Sequence, residues 1–245
     1  MRSGYVISDL HLFTEWSVAE DYLHEIQSAA STADFFVLNG DIFDFRWTML
    51  PSVGASVDAA AEWLRSFAAD HPRCRVFYVM GNHDCLQPFG ERLDALTSET
   101  GNLAWHSSHL RLGSALFVHG DLFLRRNVSD PFSRPLAPAI RKKRRSLKRC
   151  YRLLHALRVH RWHSPVYGCR ACARRMRRSL RATAHHAADG ITDLYFGHTH
   201  LTLSDYTYDG LTFHNTGSMI RGLPWHMIRV RLPRSADLPS DNGAA

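Results

Sequence analysis

The stretch DFFVLNGDIFD, residues 34–44, changes character halfway along. Its first half is a short apolar run of the length of a buried strand. Its second half breaks into Asn, Gly and Asp, residues of turns and polar sites. The same succession recurs four more times. GYVIS (4–8) runs into DLH, RVFYVM (75–80) into GNHD, SALFV (114–118) into HGD, and TDLYF (192–196) into GHTH. Apolar residues at near-helical spacing fill 18–30 and 59–69. Strand alternating with helix predicts an α/β fold, in which ligands gather beyond the carboxyl ends of the strands. The five polar clusters therefore converge in space. Two later stretches, TLSDYTYDGLTFHNTGS (202–218) and HMIRVRL (226–232), read as antiparallel strands with Asp209-Gly210 at a hairpin turn. They predict a second sheet packed on the first.

The converging ends bring together Asp9, His11, Asp41, Asn82, His83, His119, His198 and His200. Two buried carboxylates repel, and so many imidazoles need partners, unless cations sit among them. Two divalent ions resolve the conflict. Mixed imidazole and carboxylate donors suit Mn, Fe or Zn better than Ca or Mg, and the absence of cysteine from the set argues against structural zinc. Asp41, with two oxygens, is the candidate bridge. Two metals about 3.5–4 Å apart clamp an in-line displacement at phosphorus, and they acidify a shared water into a hydroxide nucleophile at neutral pH. His198 and His200 can then serve one metal each. Gly40, Gly81, Gly120 and Gly197 permit tight turns and close backbone approach beside them.

SDLHL, NGDIFDF, GNHD, VHGD and GHTH, in this order and spacing, resemble the calcineurin-like metallophosphoesterases. The resemblance covers about 1–124 and 188–230. It implies two packed mixed β-sheets flanked by helices, an αββα sandwich. It also implies one metal, manganese or else iron or zinc, held by Asp9, His11, Asp41 and His200. The other is implied on Asp41, Asn82, His119 and His198. His83 is implied near the substrate, protonating the leaving group or stabilising charge on the phosphoryl oxygens, with Asn82 beside it. Asp44, Asp84 and Asp121 read either as orienters of the ligands or as turn residues. Asn215 and Ser218 read as backing for the site or as a strand-end turn. His106, His109, His185, His186 and His226 read as surface or structural. All seven ligand positions are intact, which separates the chain from a non-catalytic metal-bound scaffold.

The chain has 245 residues, 45% of them hydrophobic, enough for a sizeable core. It shows no apolar run of membrane-spanning length and no signal-peptide pattern. Five cysteines, an odd number, point to a reducing cytoplasm rather than a disulfide framework. The net charge of +7 hides an asymmetry. Residues 131–188 hold 17 of the 30 Lys and Arg and no acid, leaving 13 basic against 23 acidic residues elsewhere, a balance of −10. The expected organisation is a core of 1–124 plus 188–232, a basic helical hairpin over 125–187, and a disordered tail over 233–245.

The hairpin's arms are expected at 139–160 and 170–186. Leu147, Cys150, Tyr151, Leu154 and Leu157 form an apolar stripe on the first, Met176 and Leu180 on the second. Because it joins HGD to GHTH, it reads as a lid at the mouth of the site, with Arg141, Arg144, Arg145, Arg149 and Arg152 available to substrate. Three roles compete for it: an anionic membrane surface, nucleic-acid phosphates, or packing on the acidic body. The apolar stripe and the shortage of aromatics for stacking count against nucleic acid. Cys169 and Cys172, with His160 and His163 upstream, could form a small zinc site. GDIFDF and the Arg-rich insert also resemble the UDP-2,3-diacylglucosamine diphosphatases of lipid A synthesis, peripheral membrane enzymes that cut a pyrophosphate. That group often has Arg where this chain has His83. The implied substrate is a lipid-linked or nucleotide-sugar phosphate or pyrophosphate ester; the alternative is a general phosphodiesterase acting on nucleotides or nucleic acid.

Overall fold

The computed structural model describes residues 1–125, 128–143, 168–183, 185–236 and 238–239. Two five-stranded sheets form its centre. In the first, β1 (Arg2–Ile7), β2 (Phe35–Asn39), β3 (Arg75–Val79) and β4 (Leu103–His106) run parallel, and β10 (Ile228–Leu232) closes the edge antiparallel to β1. In the second the order is β5 (His109–Leu112), β6 (Ala115–Val118), β7 (Asp193–Phe196), β9 (Leu211–Thr216), β8 (Thr202–Tyr208), with β6, β7 and β9 parallel. Every residue of β2 is buried, as a central parallel strand with both faces covered requires.

Side-chain alternation assigns the faces. Val6, Phe35, Val37, Phe77 and Val79 meet Leu110, Leu112, Phe117 and Tyr195 between the sheets. Phe36, Leu38, Val76 and Tyr78 point the other way, onto α1 (Leu23–Thr32), α2 (Val53–Asp70) and α3 (Gln87–Glu99). The outer face of the second sheet is covered by α4 (Asp121–Leu124) and α5 (Cys169–Ala182). The layering is the expected αββα sandwich.

Several boundaries differ from the sequence reading, each for a local reason. HMIRVRL pairs in the first sheet, not the second, because it covers the edge of β1 and places Val230 in the inter-sheet core. SALFV and TDLYF instead build the second sheet, so the polar clusters come from both. The helix expected over 59–69 starts at Val53, where Ser52 accepts from the Ala55 N–H at 3.0 Å. α3, unforeseen, carries Pro in its first turn and buries Phe89, Leu93 and Leu96 on one face. The tail packs at its start: Ala236 is buried, and Arg2 donates to its carbonyl at 2.7 Å.

The insert departs most from expectation. Residues 139–143 are not helical. They run over the body, where the Lys143 N–H donates to the Arg46 carbonyl at 2.8 Å and the Lys142 ammonium to that of Leu50. The second arm is α5, ending at Ala182, and its stripe of Cys172, Ala173, Met176 and Leu180 is buried against the second sheet. Arg144, Arg145, Arg149, Arg152, the stripe from Leu147 to Leu157, and His160 and His163 lie outside the described residues.

One buried polar residue ties the sheets together. At the end of β2 the Asn39 amide donates to the carbonyls of Val118 at 3.0 Å and Tyr195 at 3.2 Å, across to β6 and β7. Asn39→Ala strands two buried acceptors and is expected to cost about 1–3 kcal/mol. A lowered urea midpoint with an unchanged slope would show this; an unchanged midpoint would mean that the tie contributes nothing.

Candidate metal centre

The loops after β1, β2, β3, β6 and β7 meet at one end of the sandwich. Main-chain bonds lace them together: Asp9 N–H to Gly40 O (3.0 Å), His11 N–H to Asp41 O (3.0 Å), Gly197 N–H to His119 O (2.9 Å). Asp9, His11, Asp41, His198 and His200 all have left-handed backbone, with φ of 54°, 49°, 52°, 66° and 57°. Such conformations cost of order 1–3 kcal/mol each and persist where surroundings enforce them, typically at functional sites. Two glycines make the crowding possible. A Cβ at Gly81 would overlap the Asp41 carboxylate, and one at Gly197 that of Asp9.

The side chains converge in three overlapping groups whose ligand atoms lie within 4.8 Å of one another: Asp9 with His11 and His200, Asp41 with His119 and His198, and His11 with Asp41 and His83. His11 Nε2 stands 3.3 Å from His200 Nε2, which is 3.3 Å from Asp9 Oδ1. His119 Nε2 stands 3.1 Å from Asp41 Oδ2 and 3.2 Å from Asn82 Oδ1. All eight residues singled out by the sequence are brought together. The unforeseen detail is His83, whose ring joins a candidate ligand group instead of standing clear.

Charge explains why the donor set fits cations. Burial raises the pKa of Asp41, but the charges on His119 and His83 outweigh it and hold Asp41 well below the usual range. Burial also works against Asp9, which its His200 hydrogen bond and the charges of His119 and His200 keep lowered. The imidazoles respond in turn. Against burial, the charge and hydrogen bond of Asp41 push His119 up to about 10. Against burial, Asp41 and Asp44 push His83 up to about 9. Burial and the charge on His119 lower His198 to about 4, leaving a neutral ring ready to ligate. Two buried carboxylates thus demand compensating positive charge, which divalent ions can supply in place of protons.

Asp44 orients two rings. Its Oδ2 lies 3.3 Å from His11 Nδ1 and 2.8 Å from His83 Nδ1, while Oδ1 accepts from the N–H groups of Arg46 and Trp47. His11 thereby presents Nε2 to the site. Asp84 acts on backbone: it accepts from Gly81 N–H (2.6 Å), Ile42 N–H (3.1 Å) and the Tyr78 hydroxyl (2.6 Å), fixing the loops that carry Asp41 and Asn82. Asp121 forms a two-pronged pair with buried Arg134, and its charge reaches His119 and His198 without a hydrogen bond to either. Asn215 donates to Gly197 O and Thr199 Oγ1, and the Ser218 hydroxyl to Asp9 O, so both back the site. Asn39, Arg134, and Ser8 and Thr216, which are bonded to each other beneath Asp9, were not legible as site residues. Only their place where an apolar strand run ends could have suggested Asn39 and Ser8. His106, His109, His185, His186 and His226 stand outside the three groups. Cys169 and Cys172 form no metal-binding group among the described residues, and burial pushes the Cys172 thiol up to about 11.

Gly81→Ala and Gly197→Ala are each expected to displace a ligand carboxylate and lower bound metal, measured as metal per protein after purification. Gly101→Ala, with open space around it, serves as the control. Full metal content in Gly81→Ala and Gly197→Ala would show that the close approach is not needed.

A family model described as calcineurin-like phosphoesterase matches residues 5–201. No curated protein matches the chain. Among solved structures, a dimetal phosphatase from Danio rerio is 15% identical, over 89% of this chain and 88% of that one, with a TM-score of 0.46. The matched stretch runs from β1 through the GHTH loop and carries all the converging donors, and the chain belongs to the calcineurin-like phosphoesterase family.

Proposed function

We propose that this phosphoesterase works with Asp9, His11, Asp41 and His200 holding one divalent cation and Asp41, Asn82, His119 and His198 holding the other. The observation that carries this reading is the convergence of these donors, five of them on left-handed backbone, around two buried carboxylates. When bound, such a pair supplies Lewis acidity at phosphorus and a water acidic enough to react at neutral pH. The chain's own residues do the rest. Asp41 offers one oxygen to each side, and its Oδ1 is steadied by the His83 N–H at 2.8 Å. Asp44 holds His11 and His83 in place. His83, partly open to solvent and held by Asp44 at 2.8 Å, would face substrate and either protonate the leaving group or steady charge on the phosphoryl oxygens. Manganese is the proposed metal, with iron or zinc as the alternatives that the same donors allow.

For the substrate we propose a phosphate or pyrophosphate ester. The finer reading, a lipid-linked or nucleotide-sugar substrate such as UDP-2,3-diacylglucosamine, draws on the GDIFDF motif and the basic insert. Its setting would be the cytoplasm, with attachment at the inner face of the membrane. Within the described residues α5 turns its stripe inward, so support for an acyl path comes from the sequence likeness alone. The second reading, a phosphodiesterase acting on nucleotides or nucleic acid, is favoured by the exposed arginines of α5. Turnover of UDP-diacylglucosamine, bis-p-nitrophenyl phosphate and short single-stranded DNA by the manganese-loaded protein separates them.

Asp41→Ala is expected to lose both metals and His11→Ala to weaken mainly one. His83→Ala should retain both ions and lose about 10²-fold or more in rate. Metal analysis alongside turnover checks each. Two metals retained in Asp41→Ala would remove the bridge; full activity in His83→Ala would make that ring structural.

A further inference from the structure

α5 carries six arginines in 14 residues and no acid, although like charges one turn apart destabilise a helix and cations near its N-terminus oppose the dipole. Among the described residues, packing on an acidic body explains only two of them. Arg177 and Arg181 pair with Asp209 at 3.2 and 2.8 Å. Arg170, Arg174, Arg175 and Arg178 have no ion-pair partner among the described residues. Arg170, Arg174, Arg178 and Arg181 are exposed and fall on one face, at intervals of four, four and three. At 1.5 Å per residue they form a row about 16 Å long, with charges about 6 Å apart.

The direction of the row follows from the topology. Asp209 lies in the turn before β9, which is parallel to β7, so this turn sits at the end opposite the metal centre. Arg177 and Arg181 are anchored there. Arg170, at the other end of the helix, therefore stands on the metal-centre side. Met176 packs near Gly120, the neighbour of His119, at 3.5 Å from where a Cβ would lie.

We propose that this row binds the sugar-phosphate backbone of a single-stranded nucleic acid and leads it toward the metal centre. The proposal rests on the phosphoesterase reading and adds the class of polyanion. A line of guanidinium groups at phosphate-like spacing suits a linear polyanion, which Arg engages in a two-pronged fashion. A membrane surface fits less well. An interfacial helix dips its apolar face into the leaflet, whereas Cys172, Ala173, Met176 and Leu180 are already buried in the body. The metal centre opens beyond the strand ends, at roughly right angles to the outward face of α5. A flat leaflet against the row would leave it uncovered, whereas a flexible chain can follow the row and turn over the rim.

The test compares the full chain with the variant Arg170→Gln/Arg174→Gln/Arg178→Gln, which leaves the buried stripe and the Asp209 pairs intact. Fluorescence anisotropy with a single-stranded DNA of about 20 nucleotides, across a salt series, gives the dependence of log affinity on log salt. Each phosphate contact contributes about 0.7 to that slope for single strands. Loss of three contacts should therefore flatten it by about 2, with weaker binding throughout. Hydrolysis of bis-p-nitrophenyl phosphate, followed in parallel, should be unchanged, and a thermal melt confirms the fold. Hydrolysis absent in both proteins would count against the phosphoesterase reading alone. An unchanged DNA slope in the variant, or no DNA binding by the full chain, overturns the proposal. So does loss in the variant of binding to phosphatidylserine vesicles while DNA binding persists, which assigns the row to membranes.

Discussion

Two carboxylates, Asp9 and Asp41, sit fully buried beside one another, and the site is built around that unfavourable fact. Each is stabilised as an anion by imidazoles brought from distant parts of the chain and by N–H and hydroxyl donors from the adjoining loops. Bringing them requires loops from five strands, with left-handed backbone at the donors after β1, β2 and β7, and glycine where the chain passes close behind a carboxylate. Asp44 and Asp84 then fix the rings and the peptide groups. Removing one member would leave a charge buried without a partner, the expensive error in a protein interior. The strain is thus stored where the chemistry needs fixed donors, and the sandwich beneath is stable enough to hold it.

The two sheets contribute unequally. The first supplies both carboxylates, His11, Asn82 and His83; the second supplies His119, His198 and His200. Neither half alone holds a complete set of donors for either proposed cation. Apolar packing between the sheets is non-directional and would tolerate small slips. Directional contacts set the alignment instead: Asn39 reaches the Val118 carbonyl of β6 and the Tyr195 carbonyl of β7, and Ser8 meets Thr216 across the rear of Asp9. These polar ties lie immediately under the donors they align.

The convergence of candidate donors was legible because they are residue types that have little other use at a strand end. Asp, His and Asn after an apolar run are poor choices for packing, so five such events announce a site before any fold is known. The architecture was legible for a related reason: buried parallel strands leave short continuous apolar runs. What escaped the sequence were pairings and supports. Nothing in HMIRVRL says which sheet edge it will cover. Asn39 and Arg134 look like any strand-end amide or surface cation, and only tertiary structure buries them. The stripe on α5 was visible, but periodicity does not say whether the covering partner is lipid, substrate or the protein's own sheet.

The crossover from β6 to β7 leaves the rim of the site and arrives at the far end of the sandwich, while its two strands stay locked as parallel neighbours. Chain length between fixed ends is thermodynamically forgiving: doubling a loop adds only about 0.6 kcal/mol of closure entropy. Length can therefore change there at little entropic cost while the candidate donors at the ends of β6 and β7 keep their places. That connection is where a scaffold with an unalterable centre can diverge, acquiring new specificity while its chemistry stays constant.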